Sequence, residues 1–468
     1  MIPQIKWGRR SSDEPLSSFN RGKVTRPIRI ILHSTSFDRA DEYQLRAIEL
    51  LQELTKLTRA IEVIDTAPGA LPYLEIEDCN RDGSTIPITV KDGMNWKIKS
   101  GIRAPENLFN AFASSVEKSR SEGFDRQSAY QDFLVARANY ELAYDVLITL
   151  SPYLLGNREN PWIRSVNLRS PLEAVKIIGL LLRTRGSYLF EPLPHYFLEL
   201  DRRSIYKELV RHKLPNISRY IRVCAYAEAF GADGTTYLAE STLVRCMRAL
   251  QARDDIGALF YMPQSNESRD AIMYHFDYLA LLLTGAFDAQ ARVARRTYGI
   301  SRPNDKNTGF RHDKFLRALK GSSATALYNF VCDQHFRDLG DLIREIRNSV
   351  HSSIWPTIGS EYSGEPEESF IKVPPPYQDK IWQAALRCGS ADDWGLIQLN
   401  DFSMLLLEPY SYAVNLVDEC FRQIDEIARL TDVKRLLPPD FDMTRLRDKA
   451  PYDEVFIEFV RQRVELLD

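Results

Sequence analysis

Ile343-Arg344-Glu345-Ile346-Arg347-Asn348-Ser349-Val350-His351-Ser352 closes a strongly helical run, and its side chains divide sharply around a helix. At about 100° per residue, Leu339, Leu342, Ile343, Ile346 and Val350 share one apolar stripe that calls for burial. Arg344, Arg347, Asn348 and His351 gather on an adjacent face. A guanidinium offers fixed positive charge in a fork suited to phosphate, and an imidazole exchanges protons near neutral pH. Such a set can act on a phosphodiester whose own nucleophile is at hand, as RNA has in its 2′-hydroxyl.

Working outward, Asn266 to Gly299 reads as one long helix with a polar start and a dense apolar centre, Tyr278-Leu279-Ala280-Leu281-Leu282-Leu283. Phe315 to Lys320 suggests a short helix, and Ala324 to Asn348 one or two more, with Gly340 a place for a break or distortion. After His351 a Gly/Ser/Pro-rich stretch, 355–400, reads as an inserted loop, with Ser369 to Val373 and Trp394 to Leu399 as short strand candidates. A helix over Phe402 to Leu430 closes the bundle.

This stretch and its setting resemble the HEPN superfamily, helical-bundle proteins of prokaryotic conflict systems, many of them metal-independent RNases. The family signature is an Arg, four to six residues and a His, often with a polar residue after the Arg. Arg344 and His351 have the spacing, while Arg347-Asn348 has the Arg-polar pair but only three residues before His351. Both arginines are helically in phase with His351, so the catalytic one stays open between Arg344 and Arg347. The resemblance covers about a third of the chain. It implies a homodimer in which two motif helices build one cleft, with His351 from one or both copies moving protons, an arginine stabilising the pentavalent phosphate and Asn348 orienting the histidine or hydrogen-bonding the phosphate. The products it implies are a 2′,3′-cyclic phosphate and a 5′-hydroxyl, with no metal or other cofactor. It further implies an RNA-cleaving toxin or anti-phage, abortive-infection effector that meets a phage or antitoxin protein. HEPN-like bundles that have lost catalysis and serve as dimerisation or sensor modules holding a protein partner are the alternative.

The expected fold is mainly α. A small α/β domain spans 1–104, a helical sensor or regulatory region 105–262, the HEPN-like bundle 263–435 and a helical extension 436–468, ending in a helix over Asp453 to Leu467. In the first domain Ile28 to Leu32 reads as a strand, Ala40 to Thr58 as an amphipathic helix and Ala60 to Ile64 as a second strand. Leu71 to Glu77 and Ile86 to Lys91 follow, and Asp92-Gly93 turns into Trp96 to Ile102 as a hairpin. The middle region reads as helices over Tyr130 to Leu155, Pro171 to Arg183, Ser204 to His212, Asn216 to Phe230 and Thr235 to Gln251, without a repeat period.

Composition excludes several classes. The 468 residues are 44% hydrophobic and 27% charged, ordinary for a globular protein, and the formal net charge of −3 gives no global basic field for nucleic acid. Cysteines 79, 224, 246, 332, 388 and 420 are scattered without a CxxC, which predicts reduced thiols in the cytoplasm. No GxGxxG or P-loop occurs, the N-terminus lacks an apolar signal core, and no apolar run is long enough to span a membrane.

Other clusters carry weaker signals. Glu75-Ile76-Glu77-Asp78 with Lys91 could sketch a metal-dependent nuclease, against the plainer reading of a charged strand edge. His33-Ser34-Thr35-Ser36 ends the first strand, where α/β sheets bind ligands, or is a polar turn and cap. His275 reads as a core or interface histidine. Asp277 or Asp288 could orient Arg344 or Arg347, and His312 and His335, beside Arg311 and Arg337, could form a basic rim. Arg292, Arg295 and Arg296 suit a helix C-terminus, with RNA gripping as the second role.

Overall fold

The computed structural model describes residues 27–54, 61–69, 71–76, 85–92, 95–103, 125–142, 144–156, 168–185, 187–193, 196–261, 266–301, 304, 307–352, 355–360, 368–399 and 403–446. It is mostly helical, with a sheet region near the N-terminus. No helix among these residues is long and apolar enough to cross a membrane. The chain divides into two compact units, one mainly of residues up to Arg185 and one mainly of residues from Gly186 onward.

The first unit is built on a seven-stranded sheet. Its strands are β1 (Ile28–Leu32), β2 (Ile61–Asp65), β3 (Tyr73–Ile76), β4 (Thr85–Asp92), β5 (Asn95–Arg103), β6 (Val146–Ile148) and β7 (Leu168–Arg169). They lie in the order β5-β4-β3-β2-β1-β6-β7. β3, β2, β1, β6 and β7 are parallel neighbours, and β4 and β5 add an antiparallel hairpin. Ile28, Ile30, Ile31 and Leu32 are all buried, the near-continuous apolar run of a parallel strand covered on both faces. Helix α2 (Arg126–Leu142) supplies Ala129, Phe133, Leu134, Ala136 and Ala138 to a core with Ile31, Ile64, Leu147 and Leu168. Helices α1 (Glu42–Leu54) and α4 (Pro171–Arg185) pack on each other, and Gln44 accepts from the Leu172 amide. A short helix α3 (Pro152–Gly156) leaves β6. Ser170 and Glu173 form a reciprocal capping box at the start of α4.

Two sequence expectations change here. The boundary at 104 falls inside the unit, because β6 and β7 from the expected helical region 105–262 complete the parallel sheet. The single helix over Tyr130 to Leu155 is α2, then β6, then α3. Val146-Leu147-Ile148 is too short to show a strand period, and the Arg29 amide that donates to the Asp145 carboxylate just before it comes from distant sequence. Residues 1–26, where the sequence reads as irregular, and the helix over Asp453 to Leu467 lie outside the described residues.

The second unit opens with the antiparallel pair β8 (Ser187–Leu193) and β9 (Tyr196–Asp201). Asp201 then caps α5 (Arg202–Lys213) by accepting from the Ser204 amide. Helices α6 (Ile217–Ala229), α7 (Thr235–Phe260) and α8 (Asn266–Thr297) follow, and α7 packs against α5, α6, α8 and the closing helix α13 (Pro409–Leu430). Within this packing Arg253 and Asp254 form a buried ion pair at 2.8 Å, and the Tyr206 hydroxyl donates to Asp254.

Between α8 and α13 run α9 (Asp313–Lys320), α10 (Thr325–Val331) and α11 (Gln334–Ser352). The helical run over Ala324 to Asn348 breaks at Cys332-Asp333, not at Gly340, through which α11 continues. Gly340 instead admits a close neighbour: a Cβ there would collide with the Arg311 guanidinium. The described residues of the expected inserted loop 355–400 form strands β10 (Thr357–Ser360), β11 (Glu368–Val373) and β12 (Leu396–Leu399), the last two at the strand candidates Ser369 to Val373 and Trp394 to Leu399, with helix α12 (Pro375–Cys388) between those two. With β13 (Met404–Leu407) they make a sheet of order β10-β11-β13-β12. The expected helix over Phe402 to Leu430 is thus strand β13 followed by α13, divided where Glu408 caps α13 by accepting from the Tyr410 and Ser411 amides.

Candidate functional site

The amphipathic pattern of α11 is realised: Leu339, Leu342, Ile343 and Ile346 are buried, while Arg344 and Arg347 are exposed. Phe336 anchors the helix, its ring set edge-on to Phe287 of α8 at 5.7 Å and to Phe310 at 6.3 Å. Buried Ala291 and Ala294 of α8 belong to the same core. On the α12 side, Asp338 accepts from Arg387 at 2.8 Å and from Gln334 at 2.9 Å.

The two candidate arginines differ in their engagement. Arg344 donates to Glu345 at 3.0 Å and pairs with Asp341 at 2.9 Å. Asp341 also accepts from Arg311, which reaches the Arg337 carbonyl as well. Both carboxylates, Asp341 and Glu345, lie on the same helix as Arg344. Arg347 makes only a long 3.4 Å contact to Asn348 Oδ1 among its described hydrogen bonds. The backbone of His351 lies in the last turn of α11, seven residues past Arg344 and four past Arg347, which is in phase with both. The His351 side chain lies outside the described residues.

A half-buried carboxylate on α8 has basic side chains of four elements within electrostatic reach. Burial raises the Asp288 carboxyl above its ordinary range, opposed by Arg292, His312, Arg347 and Arg245 in that order. Arg292 is one turn further along α8, Arg245 comes from α7, Arg347 from α11 and His312 from the turn that starts α9. That turn closes tightly: a Cβ on Gly309 would stand 3.1 Å from His312 Cδ2 and 3.4 Å from Asp288 Oδ1. Arg292 Nε is buried and has no hydrogen-bond partner among the described residues. A buried donor without a partner at a cationic cluster is the kind of group a phosphate oxygen satisfies.

The sequence named both Asp277 and Asp288 as orienting carboxylates, and Asp288 is the one within electrostatic reach of Arg347. Asp277 is raised by burial alone. Of the basic rim, His312 joins Asp288, whereas His335 pairs with Glu419 at 3.2 Å. The basic end of α8 divides too. Arg295 donates to the Ile300 carbonyl at 3.0 Å and the Ser301 carbonyl at 3.2 Å, the helix C-terminal role. Arg296 packs at Gly234, and Arg292 lies within electrostatic reach of Asp288. Arg245 went unnamed in the sequence reading, since nothing in its local spacing ties it to α8. His275 is half-buried, 3.9 Å from Asp255, and burial lowers it against that neighbour's pull, as a core or interface histidine behaves.

The metal-nuclease reading gains no support. In the pairing of β3 with β4, Glu75 faces Thr89 and Lys91 faces Tyr73, while Glu77 and Asp78 lie outside the described residues. Among the described residues no group of three His, Cys, Asp or Glu side chains could hold a metal ion. In comparisons with known proteins, no family model, no curated protein and no solved structure matches the chain.

Proposed function

We propose that the chain is a metal-independent endoribonuclease of the HEPN type, working as a regulated toxin or anti-phage effector. The observation that carries this reading is that Arg347, Arg292, Arg245 and His312 all lie within electrostatic reach of Asp288, on a helix packed against the one that bears His351. In this reading His351 takes the proton from the RNA 2′-hydroxyl as that oxygen attacks the neighbouring phosphorus. The 5′-oxygen leaves with a proton from the same imidazole or its counterpart on a second copy. Arg347 stabilises the charge that builds on the non-bridging oxygens, and the Asp288 carboxylate attracts the guanidinium from α8. Arg344, ion-paired to Asp341 and Glu345, fixes the helix face rather than the phosphate. Asn348 stands beside Arg347 and orients it.

Purified protein incubated with total RNA and EDTA tests the proposal, beside His351→Ala, Arg347→Ala and Arg344→Ala. Cleavage leaving 2′,3′-cyclic phosphate ends is expected for the unaltered chain and absent in His351→Ala. Loss of one transition-state charge contact predicts a drop of about 100-fold or more in Arg347→Ala, with Arg344→Ala retaining much more. The ion-paired state of Arg344 also suits a second reading, a non-catalytic HEPN-like dimerisation or sensor module. Dimers by light scattering with no cleavage by any form, on cell-extracted RNA or during infection, would favour that module.

A further inference from the structure

The carboxyl edge of the first unit's sheet has a built polar row. β1 pairs with β2 up to Leu32↔Asp65 and with β6 up to Leu32↔Ile148, and β6 pairs with β7 up to Ile148↔Arg169, so four parallel strands end level. The residue after each is polar: Thr66, His33, Thr149 and Ser170. Strands β2 and β3 lie to one side of β1, and β6 and β7 to the other. Open α/β sheets take their ligands at such a reversal, outside the carboxyl ends of the strands.

The groups at this edge are tied to one another. His33 Nδ1 lies 2.9 Å from Thr149 Oγ1, and Nε2 lies 3.6 Å from Asp132 Oδ1, which also takes part with the Ser151 hydroxyl through its second oxygen. Ser36 donates to the His33 carbonyl and accepts from the Leu150 amide, clamping the loops after β1 and β6 together. Asp65, at the end of β2, accepts at Oδ1 from the Ser34 hydroxyl and from the Ala67 amide at 3.0 Å. Its Oδ2 accepts nothing among the described residues. Thr35 and Thr66 bring their hydroxyls to 3.3 Å at the exposed rim.

The chemistry narrows the ligand. Asp65 and Asp132 disfavour an anion over β1 and β2. The first turn, His33 to Arg39, has no glycine to let a pyrophosphate approach the backbone, which sets aside a dinucleotide. No described group there suffices for a metal ion. A neutral ligand rich in hydroxyl donors remains, and a carboxylate with an open oxygen at the end of the second strand is the partner a ribose uses in sheets of this kind.

We propose that Asp65, with Ser34, Thr35 and Thr66, binds the ribose diol of a ribonucleoside at this edge, independently of any RNA cleavage. Asp65 Oδ2 accepts from the diol, and the hydroxyls of Thr35 and Thr66 flank it. Isothermal titration of the full chain with adenosine, guanosine, cytidine and uridine, each beside its 2′,3′-dideoxy form, tests this. At least one ribonucleoside is expected to bind, with the dideoxy form weaker by about tenfold or more, since a hydrogen bond to a charged group is lost. Asp65→Asn is expected to weaken the ribonucleoside by a similar factor; where that variant misfolds, the ribose comparison on the unaltered chain decides alone. No binding by any of the four at about 1 mM, or equal binding of ribose and dideoxy forms, overturns the proposal, whatever the cleavage assay shows.

Discussion

Burial holds His33 neutral, its pKa lowered to about 4 although Asp132 lies 3.6 Å from Nε2. Desolvation outweighs that carboxylate's pull, and Thr149 supplies a hydrogen bond that needs no charge. The sign of the stability effect follows. Above the unfolded value of 6.5 the imidazole is neutral in both states and costs nothing. As pH falls from 6.5 toward about 4, the unfolded chain takes up the proton and the folded chain does not, so stability is lost through that window. At about 1.4 kcal/mol per pH unit the loss is on the order of 3 kcal/mol. Amide hydrogen exchange of β1 and β6, corrected for the intrinsic pH effect, is expected to lose protection between pH 6.5 and 4.5. His33→Gln should flatten that profile, and an unchanged profile in the variant would assign the loss to other groups.

Helix α13 is the closing element of the bundle, and its start is set by one side chain. Glu408 accepts from the amides of Tyr410 at 2.7 Å and Ser411 at 2.9 Å, and Pro409 occupies a first-turn position where no amide is needed. Glu408→Ala leaves two amides without that acceptor and is expected to destabilise the second unit by about 1 kcal/mol. Glu408→Asp, which keeps a carboxylate, should recover most of it; denaturant midpoints of the three proteins check this, and equal midpoints would show that water serves the amides as well. The same cap explains what was legible in the sequence. Leu405-Leu406-Leu407 before Glu408-Pro409 blends into a helical apolar pattern, and only antiparallel partners in β11 and β12 identify β13. Ile28–Leu32 was readable because its aliphatic run is continuous, whereas Val146–Ile148 gains its identity from β1, more than a hundred residues away. The motif face of α11 was readable from helical phase alone. That Asp288 lies within electrostatic reach of Arg347 from α11 and of Arg245 from α7 depends on how helices pack, which local spacing does not encode.

At the scale of the whole molecule, a net charge of −3 gives RNA no general attraction, so any capture depends on local cations. The described cluster offers three guanidiniums, Arg245, Arg292 and Arg347, around one half-buried carboxylate. Each phosphate neutralised on single-stranded RNA contributes about −0.7 to the slope of log affinity against log salt. Three such contacts predict a slope of about −2 for one copy, and about −4 where two copies face one strand across a two-fold axis. The measurement is fluorescence anisotropy of a single-stranded RNA titrated with His351→Ala protein, in which cleavage is blocked, across a range of sodium chloride. Adding Arg347→Ala should reduce the slope by about 0.7 per copy, whereas Arg344→Ala, its charge already met by Asp341 and Glu345, should leave the slope nearly unchanged. A slope near zero, or one that Arg347→Ala does not move, would take this cluster out of RNA binding and leave α11 as a packing and dimerisation surface.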